Sequence, residues 1–401
     1  MNGVKKKRLG ILTGGGDVAP LNSVLAAAQQ ASVNDSIELV GFIKGWQGVL
    51  EEKFVHLSGV SIDPLIGGTI LKSSRINLDK IPDGIQRVRE NLKRLKLDGL
   101  MVIGGEDTLS NCFLLRDFPQ VLISKTIDND VGKISNNGNL DLDSTINYFT
   151  LGFPTAAGKI SSLVSLKEGL RTTAYSHERL IVVESMGMHA GWLALSSSMG
   201  HPDFIIIPEF PLDYKRFKML LSERYHQQKH VIVVVAEGAR WEDGSYISAD
   251  DREKDDFGHP RFKGAAETLA QRLKEDLKNE FEVRNINAVN PSYFYRSGRP
   301  CELDFQWAND LGHRAVKLLH QGIDQSFFLT IQKRGGEFIS FPYPLQNHND
   351  MEELHRLVDR RFYDPSRYSV TDAGKMYLSA IVKEIPLTPA YGLEHLPSNL
   401  R

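Results

Sequence analysis

Two short polar runs, Gly104-Gly-Glu-Asp-Thr108 and Lys125-Thr-Ile-Asp-Asn-Asp130, hold the residues best suited to chemistry. In the first, Glu106 and Asp107 share a glycine turn, where two carboxylates repel one another unless a cation is near. Mg²⁺ takes one or two carboxylates together with phosphate oxygens, so both are candidate metal ligands. Helix capping by Asp107 or Thr108 is compatible with that role. In the second run, Asp128 is the natural general base for a hydroxyl nucleophile. Lys125 can neutralise phosphoryl charge, and Thr126 can donate to a phosphate oxygen. Asp and Asn are common in solvated turns, but a cation, a hydroxyl and two acids directly after a buried strand argue for a site. The inventory is that of metal-assisted phosphoryl transfer.

Weaker signals surround these two. Gly14-Gly15-Gly16 stands between a strand and a helix, where backbone N–H groups can meet an anion. Its spacing fits neither the dinucleotide fingerprint nor a P-loop. Gly15, Gly16, Gly105 and Thr108, with Arg75 beyond the Gly67-Gly68-Thr69 loop, complete a candidate set for the phosphoryl donor. Further along, His177, Arg179, Glu237, Arg284, Tyr293 and Arg296 are candidate sugar-phosphate contacts. Arginine grips phosphate bidentately and glutamate accepts sugar hydroxyls.

The elements that must position these groups are legible as apolar runs. Asp98–Ile103 and Pro119–Ile123 read as buried strands, so both polar runs lie where parallel strands deliver their C-terminal loops. Open α/β sheets bind ligands there. Other strands are expected at 8–13, 37–43, 179–184, 204–208 and 230–236. Helices are expected at about 21–31, 82–97 with Pro82 in its first turn, 154–169, from about 191, 265–279, 351–361 and 372–381. This alternation argues a parallel, helix-covered sheet. The chain is read as α/β with two Rossmann-like domains of mainly parallel sheet and an active site in the cleft between them. Residues 1–150 would bind donor and metal, and 151–321 the sugar phosphate, with segments exchanged after about 240. Residues 322–401 would pack on both.

With 401 residues, 41% hydrophobic and 24% charged, and a formal net charge of −2, the chain is long enough for two cores. It carries no nucleic-acid footprint. No apolar stretch approaches the ~20 residues that span a bilayer, and a cytoplasmic location is expected. Cys112 and Cys301 give neither a disulfide framework nor a metal-ligand spacing.

Taken together these blocks resemble the phosphofructokinases. The likeness runs through Leu12–Asp17 with Asn22, Gly45-Trp46, Gly68-Thr69 with Ser73-Ser-Arg75, and the two polar runs. It continues through Ser176-His-Glu-Arg179, Glu184-Ser-Met-Gly187 with Ala190-Gly-Trp192, Ala236-Glu-Gly238 and Pro291–Arg296, over roughly residues 8–315. It implies Mg²⁺-dependent phosphorylation of the 1-hydroxyl of fructose 6-phosphate, a step of glycolysis. Asp128 and Lys125 would be catalytic, with Thr126, Met186, Gly187, Met188, Glu237, Tyr293 and Arg296 around the sugar phosphate. It also implies that Arg179 reaches in from a neighbouring subunit of a homodimer or homotetramer.

Members that use ATP look like Gly-Gly-Asp-Gly-Ser/Thr and Pro-Gly-Thr-Ile-Asp-Asn-Asp. This chain has Asp107 and Lys125 in place of the two distinguishing glycines, which resembles the diphosphate-dependent branch. A carboxylate at 107 would repel the ATP α-phosphate, and Lys125 supplies charge to a compact diphosphate. Ala26 and Gln30 stand where allosteric bacterial members carry arginines, so weak or absent allostery is expected. The chain departs from the family pattern at Asp17-Val-Ala-Pro-Leu-Asn22, at Met188 for an arginine and at Glu106 for an aspartate. Three alternatives stand open: ATP as donor, a regulatory subunit that binds sugar phosphate with little turnover, and another sugar phosphate as acceptor.

Overall fold

Apolar runs without polar alternation, such as Val231-Ile-Val-Val-Val-Ala236, become strands buried on both faces, as parallel sheets covered by helices require. The structure, a computed structural model, describes residues 6–134, 141–248, 264–280, 285–347, 349 and 351–387. In chain order the strands are β1 (Arg8–Thr13), β2 (Glu38–Phe42), β3 (Phe54–His56), β4 (Gly99–Gly104), β5 (Gln120–Thr126) and β6 (Leu151–Gly152). They continue as β7 (Leu180–Ser185), β8 (Phe204–Ile206), β9 (Val231–Ala236) and β10 (Ile286–Val289), then β11 (Phe327–Arg334) and β12 (Glu337–Pro344).

The chain divides into two units, residues 1–155 with 296–356, and 156–295 with 357–401. The first unit holds a sheet in the order β12-β11-β5-β4-β1-β2-β3, with β6 paired to β5. It is parallel except where β3 meets β2 and β12 meets β11. Leu12, Phe42, Leu100, Val102 and Leu122 form part of its core. The second unit holds the parallel sheet β10-β7-β9-β8, packed around Val182, Phe204, Phe217, Val233 and Leu269.

Two sequence expectations need correction, and the exchange of segments expected after about 240 takes a definite form. The helix Glu302–Gln321 belongs to the first unit. It packs on the helix Leu21–Asn34 so closely that a Cβ at Gly312 would stand 2.7 Å from Val24 O. Asp304 fastens it further by accepting from Gly152 N at 2.8 Å and Thr155 N at 2.9 Å. Pro82 is not in the first helical turn; the helix opens at Gly84, because Gly84 N closes a turn onto Ile81 O at 2.9 Å. No helix spans 351–361. A single 3-10 turn, Glu352–Leu354, gives way to extended backbone at His355. There the chain bonds to another loop, with Gly132 N donating to Leu354 O at 2.7 Å and Arg356 N to Asp130 O at 2.6 Å, so these groups cannot serve a helix. The tail also adds β11 and β12 to the edge of the first sheet, through Phe327 opposite Val121 and Phe328 opposite Leu122. Among the described residues no helix is long and apolar enough to cross a membrane.

Candidate active site

In the first unit the glycine turn after β1 works differently from the expected anion nest. Gly14 N donates to Ile103 O and Gly15 N to Ser74 O, each at 3.0 Å, so those two amides are spent. The next helix begins only at Leu21, behind Pro20. What the glycines provide is room. Gly15 lies at φ 76°, and a Cβ there would stand 3.2 Å from Lys125 Nζ. At Gly16 a Cβ would stand 2.7 Å from Arg296 Nη1, so any side chain would displace a guanidinium.

Two cations thus touch the turn, and a third lies close in charge. Lys125 is 2% exposed and its Nζ donates to Gly16 O. Burial lowers its pKa to about 7, helped by Arg296 and Arg75 and opposed by Asp17 and Asp128. Lys125 and Arg296 therefore meet at Gly15 and Gly16, and Arg75, next in sequence to the Ser74 carbonyl that Gly15 N bonds, adds a charge that Lys125 feels. Arg296 was expected beside a sugar phosphate; it lies in the first unit, against Gly16.

At the end of β4, Gly105 precedes the helix Glu106–Phe113. Thr108 is buried, with its carbonyl held by Trp46 Nε1 at 3.0 Å. Beyond β5, Asp128 N donates to Thr126 Oγ1 at 3.1 Å, and Thr150 Oγ1 donates to Thr126 O at 2.7 Å. Asn129 follows in the left-handed region, φ 54°, and sends the chain into Asp130.

Of the two candidate metal ligands read from sequence, Glu106 falls in a group of potential ligands among the described residues and Asp107, which is exposed, does not. That group is Glu106, Asp130 and His355, whose donor atoms all lie within 4.8 Å of one another. His355 Nδ1 is 3.2 Å from Glu106 Oε2. Asp130 Oδ1 is buried with no hydrogen-bond partner among the described residues. Burial and the charges of Asp128 and Glu106 push the Asp130 carboxyl well above the usual carboxylate range, against the pull of His355. A divalent cation would satisfy that orphaned oxygen and screen the like charges, so the donor set fits one.

In the second unit the β7 and β9 ends meet. Glu237 Oε1 accepts from Gly187 N at 3.1 Å, and Glu237 N donates to Ser185 O at 2.9 Å. Gly238 N donates to Gly187 O at 3.2 Å, and a Cβ at Gly238 would stand 2.0 Å from Met188 O. Met186, Gly187, Met188 and Glu237 therefore form one packed corner. Glu184 is 4% exposed and serves the fold, accepting from Ala266 N at 3.0 Å and Asn290 Nδ2 at 2.8 Å. Tyr293 is 70% exposed.

Arg179 does not join this corner. It precedes β7, with Nη1 bonded to Thr173 Oγ1 at 3.0 Å, whereas Met186 follows that strand. At ~3.3 Å per residue the two are about 20 Å apart. Arg284 lies outside the described residues.

Residues 8–319 match the family model described as Phosphofructokinase. The chain belongs to the phosphofructokinase family. It is 36% identical over 342 residues to a pyrophosphate–fructose 6-phosphate 1-phosphotransferase of Streptomyces coelicolor, covering 84% of this chain and 93% of the relative. It is also 36% identical over 322 residues to ATP-dependent 6-phosphofructokinase 3 of the same organism, covering 79% and 88%. A solved pyrophosphate-dependent phosphofructokinase from Nitrosospira multiformis superposes with a TM-score of 0.75 over 96% of this chain and 95% of that one, at 20% identity. That last likeness speaks for the two-domain α/β fold alone. As a phosphofructokinase, the chain is a phosphotransferase of a phosphoryl donor and a sugar phosphate.

The family match ends at residue 319, so His355 and Arg356 lie beyond it. Sequence reasoning missed both. A lone His-Arg pair in a mixed tail carries no spacing signal; only the three-dimensional pairing of 355 with Val131 reveals it.

Proposed function

We propose that this phosphofructokinase uses diphosphate, transferring its terminal phosphoryl group reversibly to the 1-hydroxyl of fructose 6-phosphate. The observation that carries the proposal is the meeting of Lys125 and Arg296 at the Gly15-Gly16 turn, with the charge of Arg75 added. Three cations around a turn cleared of side chains suit a small, highly charged donor. Lys125 occupies volume that a glycine would leave open, and Asp107 is an exposed carboxylate one residue before Thr108, which borders the same turn. Both features disfavour a nucleotide.

In the forward direction Asp128 accepts the proton of the sugar 1-hydroxyl while that oxygen attacks the terminal phosphorus in line. The new O–P bond forms as the bridging P–O bond breaks, and phosphate leaves with the bond's electron pair. Lys125, Arg75 and Arg296 offset the charge spread over the transferring oxygens, which is where a loose transition state needs support. Gly105 and Thr108 border the donor turn, and Thr126 holds the Asp128 loop in shape. Glu106, Asp130 and His355 are the residues that would hold Mg²⁺, which when bound neutralises donor charge. Met186, Gly187, Met188, Glu237 and Tyr293 are assigned to the sugar phosphate. Arg179, at the opposite end of β7, serves the site of a neighbouring copy in a homodimer or homotetramer. A cytoplasmic location goes with this reading.

Initial rates with fructose 6-phosphate and Mg²⁺, run in parallel with diphosphate and with ATP, test the assignment. Turnover with diphosphate alone is expected; turnover with ATP alone would overturn the donor reading. Met188 in place of a family arginine favours one other reading, a subunit that binds sugar phosphate and regulates a partner. Fructose 6-phosphate binding without turnover on either donor would support that instead.

A further inference from the structure

Arg356 is 3% exposed, yet it is a cation. Burying a guanidinium is costly unless its donors are satisfied, and here they go to one place. Nε and Nη2 donate to Asn129 O at 3.0 and 2.8 Å, and Nη2 also donates to Asn129 Oδ1 at 2.7 Å. Nη1 donates to Asn147 O at 2.8 Å and Tyr148 O at 3.1 Å. Its main-chain N–H adds the bond to Asp130 O at 2.6 Å.

Asn129 is the residue between Asp128 and Asp130, and its left-handed backbone, φ 54°, makes the kink between them. Such a conformation in a residue other than glycine is strained and persists only where its surroundings hold it. Arg356 grips that residue by both its carbonyl and its side-chain oxygen, while Thr150 N bonds the same Oδ1 at 3.1 Å. The adjacent residue, His355, lies against Glu106. One extended dipeptide therefore fixes the kink on one side and reaches the potential metal group on the other.

We infer that Arg356 is a positioning residue for phosphoryl transfer, locking the Asn129 kink that aims Asp128 and Asp130. This rests on the reading of Asp128 as the base. A merely structural strap would tolerate any long cation, because β11, β12 and the tail's apolar contacts remain. A lock on this kink needs the planar fork, which lysine lacks.

The test is steady-state kinetics of Arg356→Lys and Arg356→Ala with diphosphate, fructose 6-phosphate and Mg²⁺, with thermal melting alongside. A 1 Å misplacement of a reacting group costs roughly 10²-fold, so kcat should fall by about that factor in both variants. KM for fructose 6-phosphate should stay within about threefold, and guanidinium ion at millimolar concentration should restore part of the Arg356→Ala rate. Full kcat in Arg356→Lys with a lowered melting temperature, or a raised KM with kcat intact, would overturn the inference. Should the arginine variants fail to fold, Asn129→Gly keeps the kink but deletes the gripped Oδ1. A kcat loss of roughly tenfold supports the lock, and unchanged kcat sinks it. Asp128→Asn separates the two readings. If it keeps its rate, the assignment of the base has failed; if it is inactive while Arg356→Lys is fully active, only the positioning role has failed.

Discussion

The ends of β5 and β7 are comparable places, each the C-terminal edge of a parallel strand and each carrying acid, hydroxyl and glycine residues in or just after its last residues. They put their charges to different uses. At the end of β5, Lys125 feels the charges of Arg296, Arg75, Asp17 and Asp128, and Asp130 those of Asp128, Glu106 and His355. At the end of β7, Glu184 accepts from Ala266 N and Asn290 Nδ2, and Glu237, which follows the neighbouring β9, accepts from Gly187 N. An acid at a strand end is thus informative for chemistry only when the local backbone has not already claimed it. In the proposed reaction the β5 end carries the chemistry and the β7 end the binding.

The hardest blow to this contrast is Asp128→Asn. General-base catalysis is worth about 10²–10⁴-fold, so kcat should fall within that range with little change in KM, whereas Glu184→Gln should alter the melting temperature and leave kcat nearly untouched. Equal kcat losses in both would erase the distinction. Next is Met188→Arg, which places a cation at the β7 end. A hydrogen bond to a charged group contributes about 1.5–3 kcal/mol, so kcat/KM for fructose 6-phosphate should rise by roughly tenfold or more. A fall would mean that the β7 end is shaped around methionine.

Smaller is the expected effect of His355→Asn on the metal group. Mn²⁺ titrated into the protein and followed calorimetrically should bind roughly tenfold more weakly; an unchanged isotherm would leave the imidazole out of the coordination. A last effect is expected on stability and not on activity, and it depends on pH. Burial depresses the Lys125 ammonium to about 7 in the fold, against ~10.4 in the unfolded chain. Between those values the unfolded state binds more protons, so stability rises with pH; below about 7 the whole penalty is present. Lys125→Met should therefore raise the melting temperature most at pH 6 and progressively less toward pH 9, at about 2–4 °C per kcal/mol relieved. A difference independent of pH would show that Lys125 is not the titrating group.

Much of this was legible beforehand because parallel strands advertise themselves. β4, β5, β7 and β9 are unbroken apolar runs, and their loops carry the family's defining residues. What sequence could not supply was partnership. Asp107 looked as good a ligand as Glu106, since adjacency in the chain does not say which side of a helix start faces inward. Asp130, His355 and Arg356 meet only because a 3-10 turn ends early and the backbone pairs with residues 130–132. The glycine turn misled for a related reason, since its amides bond to Ile103 and Ser74 on segments far along the chain. Arg296 looked like part of the Tyr293 block, yet the unit boundary falls between Tyr295 and Arg296.

Asn129 and the arginine that grips it are 227 positions apart. On a ribosome adding about 5–20 residues per second, the Asp128 loop is made at least ten seconds before Arg356 exists. A nascent chain holding every family-defining residue would still carry an unlatched loop. On the inference above, the full rate of phosphoryl transfer would then arrive late in synthesis.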